Sequence, residues 1–376
     1  MTLIRQRKLN KQQLRRISKQ QQDAVTIDDD DLLDGVVIAH YGKQLAVQVT
    51  CLPARLPTPP TVADDEPPPF WQTIQLHDIW RCHARTNLPM LTVGDKVRWI
   101  ADPNTGFGRI ETLLPRQSLI TRPDRYHKLK PVVANVDVLA IMFAPLPIPA
   151  PSLIDRYLVV AHHSGVRPLL ILNKADLLND SDHAHIQHLL DDYRQLGYDT
   201  LITQACMNDN ALNNNALSNN ALNNHLKNQL HLKNQLAEKM VVFAGQSGVG
   251  KSSLINALLP DCQQSINVIS ENSKLGQHTT TTSRLLPFYR HDLTQGGIVD
   301  TPGIREYGIW HLSPDDIISG FIELAPLVGQ CQFRDCKHTD NSKGCALRQA
   351  VADGHVLKRR VDNLVLLQAE ADTQGY

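Results

Sequence analysis

A glycine-rich loop that ends in lysine and serine restricts this chain to few folds. Residues 245–252 read Gly-Gln-Ser-Gly-Val-Gly-Lys-Ser, which matches the pattern GxxxxGK[ST]. The apolar segment Met240–Ala244 before the loop predicts a strand, and Ser253–Leu259 after it has a helical pattern. In a strand, loop and helix of this kind, backbone N–H groups surround phosphates at the helix N-terminus. The sequence therefore predicts an α/β P-loop domain with a nucleotide site.

The residue types in this loop suit phosphate and Mg²⁺ binding. Lys251 is expected to reach the β- and γ-phosphates, and the Ser252 hydroxyl is expected to bind Mg²⁺. We assign both residues to catalysis as well as to binding. The predicted phosphate-binding residues are Gly245, Gln246, Ser247, Gly248, Val249, Gly250, Lys251, Ser252 and Ser253.

Two downstream segments are predicted to complete the contacts with Mg²⁺ and the γ-phosphate. Asp300-Thr301-Pro302-Gly303 follows the apolar strand candidate Gly297–Val299, so Asp300 is expected to bind Mg²⁺ and the Gly303 amide to contact the γ-phosphate. Residues 276–282 read Gly-Gln-His-Thr-Thr-Thr-Thr and offer hydroxyls for a mobile switch segment. A plain strand rich in threonine is the alternative interpretation of this run.

A motif that reads a nucleobase lies upstream of the phosphate loop. Asn173-Lys174-Ala175-Asp176 follows the apolar segment Pro168–Leu172 and matches the pattern NKxD. The Asp176 carboxylate accepts hydrogen bonds from N1–H and the 2-amino group of guanine, whereas adenine would leave it unpaired. We therefore predict GTP and GDP as ligands, with Asn173, Lys174 and Asp176 as base-binding residues. An ordinary helix cap after a strand is the alternative.

The order of these motifs predicts a circular permutation. In an ordinary GTPase the base-reading motif follows the phosphate loop, whereas here it precedes it. A parallel sheet permits such a rotation, because joining the old termini and opening the chain elsewhere preserves every strand in space. Residues 203–206 then occupy the position of a second base-contacting loop. The segment after Asp300 adjoins the C-terminal region, so nucleotide state is expected to influence that region.

A cysteine cluster near the C-terminus predicts a structural zinc site. Cys331, Cys336, His338 and Cys345 supply three thiolates and one imidazole within a short window. Such a set suits one tetrahedral Zn²⁺ with no open position. Three reduced buried cysteines beside a surface histidine form the alternative.

Composition and residue patterns along the chain predict four regions. Residues 1–34 form a basic and then acidic tail that is expected to be disordered, either solvated or in contact with RNA. Residues 35–118 have short strand patterns and a proline-rich insertion, which favour a small OB-like β-barrel. The permuted GTPase domain is predicted at 119–326, with an asparagine-rich insertion at about 207–237. Residues 327–376 form the predicted zinc-binding, mostly helical domain, with a basic helix from Leu347 to Ala371.

Composition predicts a cytoplasmic protein without a membrane span. Hydrophobic residues make up 42% of the chain, yet no stretch approaches the roughly 18 consecutive apolar residues that a membrane helix needs. The basic N-terminus has no apolar run after it, so a secretion signal is not expected. A monomer is the expected state.

These motifs together resemble the family of ribosome small-subunit-dependent GTPase A, circularly permuted bacterial GTPases that act late in assembly of the small ribosomal subunit. The resemblance spans about Gly35 to the C-terminus and rests on residues 276–281, on NKAD ahead of GQSGVGKSS and on the cysteine cluster. It implies an N-terminal OB-fold, a central GTPase domain and a C-terminal zinc domain. It also implies that the small subunit stimulates GTP hydrolysis and that the outer domains bind ribosomal RNA. We therefore expect the barrel and the region Arg348–Arg360 to bind RNA with a marked salt dependence.

The resemblance further assigns residues to the switch segment. It implies that Thr280 or Thr281 is the switch threonine, with Thr281 as a Mg²⁺ ligand, and that His278 aligns the attacking water. Ile304 occupies the position at which many GTPases carry a glutamine that orients this water, and an apolar side chain has no such capacity. A purely structural role for His278 remains open.

Two other functions compete with the assembly GTPase. The first is an RNA-binding assembly scaffold that holds GTP or GDP without useful turnover, which the missing glutamine favours. The second is a permuted GTPase of the large subunit, which the barrel and the cysteine cluster disfavour.

Overall fold

The computed structural model describes residues 29–55, 74–102, 106–123, 128–179, 184–204, 230–259, 283–289, 292–300, 309 and 311–374. Most of the predicted tail, the proline-rich insertion and much of the asparagine-rich insertion lie outside these residues. Within them, no helix is both long and apolar enough to cross a membrane.

The N-terminal unit is a closed five-stranded barrel. Its strands are β1 (Leu33–Tyr41), β2 (Gln44–Cys51), β3 (Ile79–Ala84), β4 (Lys96–Asp102) and β5 (Phe107–Leu113). They pair in the order β1-β2-β3-β5-β4, and β4 pairs again with β1 to close the barrel. Alternate residues of each strand point inward and form an apolar core around the fully buried Trp99. The predicted OB-like barrel is therefore confirmed.

A two-stranded hairpin connects the barrel to a larger sheet. It consists of β6 (Leu119–Pro123) and β7 (Leu129–Ala134), which pair antiparallel. Buried Asn135 follows it with a φ of 55° and donates a hydrogen bond from Nδ2 to the Gly94 carbonyl of the barrel. The hairpin and this contact fix the barrel against the domain that follows.

The central sheet has the strand arrangement of a nucleotide-binding α/β domain. Its strands are β8 (Val138–Phe143), β9 (Arg167–Leu172), β10 (Asp199–Ile202), β11 (Met240–Gly245), β12 (Arg284–Tyr289) and β13 (Asp292–Asp300). They lie in the order β10-β9-β8-β11-β13-β12, with all neighbours parallel except the antiparallel pair β12 and β13. The strands are nearly continuous apolar runs because both faces are covered.

Helices cover the two faces of this sheet. They include α1 (Pro151–His163), α2 (Ala184–Gln195) and α3 (Lys251–Leu258). Helices α1 and α2 share one apolar core, while α3 and the helical residues 230–236 share the other. Since the chain passes from β8 outward to β9 and β10 and then returns to β11, the sheet changes direction between β8 and β11. Ligands of such sheets bind at this point, beyond the carboxyl ends of the strands.

The C-terminal region is helical and packs on α1. It contains α4 (Pro314–Ser319), α5 (Ala346–Ala352) and α6 (Lys358–Gln374). The prediction of one continuous helix from Leu347 to Ala371 is wrong, because the chain leaves the helix at Asp353 and Gly354 adopts a φ of 74°. A residue with a side chain rarely adopts this conformation, and helices often end at such a glycine.

Candidate functional site

The phosphate loop lies at the carboxyl end of β11, at the point where the sheet changes direction. Gly245 has a φ of 139°, and a Cβ there would lie 2.2 Å from the Met142 carbonyl oxygen. Gly250 has a φ of 95° and precedes α3, and a Cβ there would lie 2.4 Å from Nδ2 of Asn173. Only glycine fits both positions. The loop therefore has the tight backbone curvature that a phosphate cradle needs.

The Lys251 side chain folds back onto the backbone of this loop. Its Nζ donates hydrogen bonds to the carbonyl oxygens of Gly245 and Gln246, each at 2.7 Å. Ser252 and Ser253 follow in the first turn of α3 and are exposed. A cation and exposed hydroxyls at a helix N-terminus suit an anionic ligand that carries a metal ion.

The predicted base reader lies beside the phosphate loop. Asn173 is buried and donates from Nδ2 to the Val249 carbonyl at 2.9 Å. Lys174 has a φ of 57°, and its Nζ donates to the Leu146 carbonyl at 2.8 Å. Asp176 lies in the first turn of the short helix Ala175–Asn179 and is half-buried. The structure thus brings the motif and the phosphate loop together although they are far apart in sequence.

A buried hydroxyl near the base reader fits the predicted second base-contacting loop. Thr203 follows β10, and its backbone N–H and carbonyl are bonded to Leu172 and Ala175. Its Oγ1 is buried and has no hydrogen-bond partner among the described residues. Buried polar groups are usually satisfied, so this atom is available to a loop or ligand that completes the site.

The predicted Mg²⁺ ligands are only partly described. Asp300 is exposed at the carboxyl end of β13, next to the strand that carries the phosphate loop. One hydroxyl and one carboxylate are hard oxygen donors of the type that Mg²⁺ prefers. His278, Thr280, Thr281 and Gly303 lie outside the described residues.

The sequence did not predict that a tyrosine of α1 contacts the phosphate loop. Tyr157 lies on α1 and is 1% exposed, and its hydroxyl is hydrogen-bonded to the backbone of Gly245. Burial raises the pKa of Tyr157, while the hydrogen bond with the Gly245 backbone and the charge of Arg156 act in the opposite direction. The sequence shows the polar run Asp155-Arg156-Tyr157 in a mostly apolar helix, but this run does not indicate what the Tyr157 hydroxyl contacts.

A buried ionic cluster joins α1 to the C-terminal helices. Arg360 of α6 is fully buried and donates to the carboxylates of Asp155 and Glu323, both at 2.6 Å. Asn363 and the Tyr193 hydroxyl also donate to Asp155, each at 2.5 Å. Burial alone would lower the pKa of Arg360, but the hydrogen bond and charge of Glu323 and the charge of Asp155 raise it above its usual value.

This cluster corrects the predicted RNA contact in the region Arg348–Arg360. Arg360 is inaccessible to any ligand. The Arg348 guanidinium is 15% exposed and is paired with Asp362 at 2.6 Å and Asp340 at 2.9 Å. The prediction is therefore wrong for Arg360, and the charge of Arg348 is already neutralised. A basic pattern in a helix does not distinguish a surface stripe from internal ion pairs.

The four predicted zinc ligands converge on one point. The ligand atoms of Cys331, Cys336, His338 and Cys345 all lie within 4.8 Å of one another. Nδ1 of His338 is 3.6 Å from Sγ of Cys331 and 3.5 Å from Sγ of Cys345, and these two sulfurs are 4.0 Å apart. A tetrahedral Zn²⁺ with bonds of about 2.3 Å separates its sulfur ligands by about 3.8 Å. The cluster therefore fits zinc, and these cysteines are not joined in disulfides.

Replacing one of these ligands is expected to remove the metal. In Cys336→Ser, a weaker hydroxyl replaces a thiolate, so we expect the zinc content to fall from about one ion per chain to well under half. Metal analysis of the purified protein by mass spectrometry measures this content. Cys51→Ser, at an exposed cysteine of the barrel, is the matched control and should keep the full content. Equal zinc in both variants would refute the site.

Comparisons with known proteins agree with this geometry. The family model described as RsgA GTPase matches residues 113–310. A relative from Pseudomonas putida, named small ribosomal subunit biogenesis GTPase RsgA, is 42% identical over 342 residues, which is 91% of this chain and 87% of the relative. A relative of the same name from Ectopseudomonas mendocina is 43% identical with the same coverage.

Two solved structures have the same fold. YjeQ from Thermotoga maritima aligns with a TM-score of 0.63 and 27% identity, over 91% of this chain and 99% of that protein. YloQ, described as a circularly permuted GTPase, aligns with a TM-score of 0.60 and 24% identity, over 91% of this chain and 96% of that protein. The predicted permuted fold, with its outer barrel and helical C-terminus, is confirmed.

Proposed function

Because this chain belongs to the RsgA GTPase family and is a GTP hydrolase of small-subunit biogenesis, we propose that the docked small ribosomal subunit triggers its hydrolysis of GTP. In this proposal the protein binds late assembly intermediates in the GTP state, during maturation of their ribosomal RNA. Hydrolysis to GDP and phosphate then releases it. The small subunit acts both as partner and as activator.

One contact supports guanine-nucleotide chemistry more than any other. The hydrogen bond from the buried Asn173 side chain to the Val249 carbonyl joins the base reader to the phosphate loop. A single ligand that spans both must carry a base at one end and phosphates at the other. Asp176, next to this contact, is the residue that selects guanine over adenine.

Each residue of the site has a proposed part in binding and hydrolysis. Lys251 exchanges its loop carbonyl partners for the β- and γ-phosphates, and the backbone N–H groups of residues 246–252 bind the remaining phosphate oxygens. Ser252, Thr281 and Asp300 hold Mg²⁺, which offsets phosphate charge when bound. Gly303 contacts the γ-phosphate.

The switch residues complete this proposal from sequence alone. Thr280 and Thr281 are proposed as the switch threonines, and His278 is proposed to align the attacking water because Ile304 has no polar group for this role. With a ribosomal particle as its partner, the protein is expected to act in the cytoplasm as a monomer.

An exposed face of the barrel supports the proposed contact with ribosomal RNA. The guanidinium of Arg81 lies 5.8 Å from the centre of the Tyr41 ring, and the rings of His83 and Phe107 pack against each other at a tilt of 58°, with centres 5.6 Å apart. Arg109 on the neighbouring strand is 53% exposed and is paired with Glu111, so Arg81 is the exposed cation on which this contact depends. Aromatic rings bind unpaired bases by stacking, and cations among them bind phosphates. We propose that this face of β3 and β5 contacts ribosomal RNA.

Binding to the small subunit is expected to weaken steeply with salt. Each cation that neutralises a phosphate adds about 0.7 to 0.9 to the slope of log affinity against log salt concentration. Arg81→Ala should reduce this slope by about one, whereas the matched variant Arg194→Ala, at an exposed arginine of α2 paired with Asp191, should not change it. Co-sedimentation with small subunits and a GTP analogue, over a salt series, measures the slope.

Large subunits serve as the partner control in the same series. Binding that is independent of salt, or equal for both subunits, would contradict the proposed partner.

A further inference from the structure

Helix α1 contacts both the phosphate loop and the C-terminal helices through three consecutive residues. Asp155 binds Arg360 and Asn363 of α6. Arg156 forms a two-pronged ion pair with Glu370 of the same helix, in which one N–O distance is 2.7 Å. Tyr157 is hydrogen-bonded to the backbone of Gly245 in the phosphate loop. One turn of helix therefore touches both regions.

The contact at Gly245 is placed where a small movement affects phosphate binding. Gly245 has no space for a side chain, and its carbonyl accepts a hydrogen bond from Lys251, the proposed phosphate-binding cation. A shift of the Tyr157 hydroxyl would therefore reach Lys251 through a single backbone residue. Close-packed interiors transmit displacements of this kind because they contain little free volume.

The contact between α1 and the C-terminal helices is also closely packed. Arg360 and Asp155 are fully buried, and α4 packs on α1 so closely that a Cβ at Gly320 would lie 2.4 Å from the Val159 Cα. Helix α6 is thus unable to tilt without moving α1 or breaking buried ion pairs. Breaking such pairs is costly, because it leaves uncompensated charges in the interior.

We infer that Tyr157 positions the phosphate loop and that α1 couples this loop to the C-terminal helices. This inference rests on the proposed function, since it requires a guanine nucleotide at the loop. It adds a second connection between nucleotide and C-terminal region, apart from the covalent one that runs from Asp300 toward α4. By thermodynamic linkage, nucleotide binding must then change the stability of α6, and a ligand of the C-terminal region must change nucleotide affinity.

Hydrogen exchange in the isolated full-length protein tests this coupling. In the wild type, guanosine 5′-(β,γ-imido)triphosphate with Mg²⁺ should slow amide exchange in Lys358–Gln374 by about fivefold or more. Tyr157→Phe removes only the hydroxyl and should reduce this effect to less than about twofold. Nucleotide is set at the same multiple of the dissociation constant for every variant, so that stabilisation by mass action is equal.

Two further variants separate the coupling from a general loss of structure. Tyr289→Phe is the matched control, because Tyr289 is an exposed tyrosine of β12 whose ring lies against Lys233, and it should keep the full wild-type effect. Glu370→Gln weakens the ion pair between Arg156 of α1 and α6 without changing the phosphate loop. It should also diminish the slowing of amide exchange by nucleotide. Thermal unfolding confirms that each variant is folded.

The outcomes distinguish this inference from the proposed function. A fluorescent GDP titration establishes whether the protein binds guanine nucleotide, and no binding would overturn both. Nucleotide binding without any change in α6 exchange would overturn the coupling alone. An equal change in wild type and Tyr157→Phe would also overturn it and would assign the coupling to the segment after Asp300.

Discussion

Asp176→Asn should convert the protein from guanine to xanthine nucleotides. The Asp176 carboxylate accepts from N1–H and the 2-amino group of guanine, and the asparagine amide would place a donor against that amino group. Xanthine carries an oxygen at this position and accepts from the new donor. We expect GDP affinity to fall by at least about 100-fold and xanthosine diphosphate to bind more tightly than GDP. Competition with a fluorescent GDP or xanthosine diphosphate measures both affinities.

Asp199→Asn is the matched control for this change. Asp199 is an exposed carboxylate at the start of β10, paired loosely with Arg167. This variant should bind GDP as the wild type does. Unchanged GDP affinity in Asp176→Asn would show that the carboxylate does not read the base, and the guanine assignment would then have no basis in this motif.

Arg360→Met is expected to lower the free energy of unfolding by about 3 to 5 kcal/mol. Methionine retains much of the side-chain volume, so the loss comes mainly from the buried Asp155 carboxylate, which loses its cation. Glu323 loses its partner in the same step. Urea denaturation followed by circular dichroism measures this change, with the unfolding of the C-terminal helices as the earliest event.

An exposed ion pair provides the comparison for Arg360. Arg194→Ala removes the partner of Asp191 on the surface of α2, where water screens the charges, and should cost less than about 1 kcal/mol. If the free energy of unfolding fell by the same small amount in Arg360→Met and Arg194→Ala, the buried cluster would not be what holds α6 against α1.

Local motifs allowed much of the site to be predicted from sequence. The phosphate loop and the base reader each consist of adjacent residues. Their glycines allow tight backbone curvature, their lysine binds phosphate, and their carboxylate binds the base. The permuted order followed from their sequence positions, and the zinc ligands followed from the spacing of Cys331, Cys336, His338 and Cys345. These patterns depend little on distant parts of the chain.

Features that depend on tertiary packing were not predicted. The strand before Asp300 was expected only at Gly297–Val299 but extends from Asp292, because it is lengthened by pairing with β12. The C-terminal helix was expected to be continuous although Gly354 offered a stop signal. The burial of Arg360 depends on Asp155 and Glu323, and sequence periodicity gave no indication that they meet.

The contact between Tyr157 and Gly245 was also invisible in sequence. Tyrosine in a helix is usually a core residue, and nothing in its spacing indicates that its hydroxyl reaches a loop on another strand. Only the parallel arrangement of β8 and β11 brings α1 behind the phosphate loop. The roles proposed for His278, Thr280 and Thr281 still rest on sequence.

The rate of GTP hydrolysis with and without small ribosomal subunits is the decisive measurement for a GTPase that the small subunit triggers. We expect strong stimulation by small subunits, none with ATP as substrate, and loss of the stimulated rate in Ser252→Ala, which removes a Mg²⁺ ligand. Tight guanine-nucleotide binding without stimulated turnover would contradict a GTPase that the small subunit triggers and would favour an assembly scaffold.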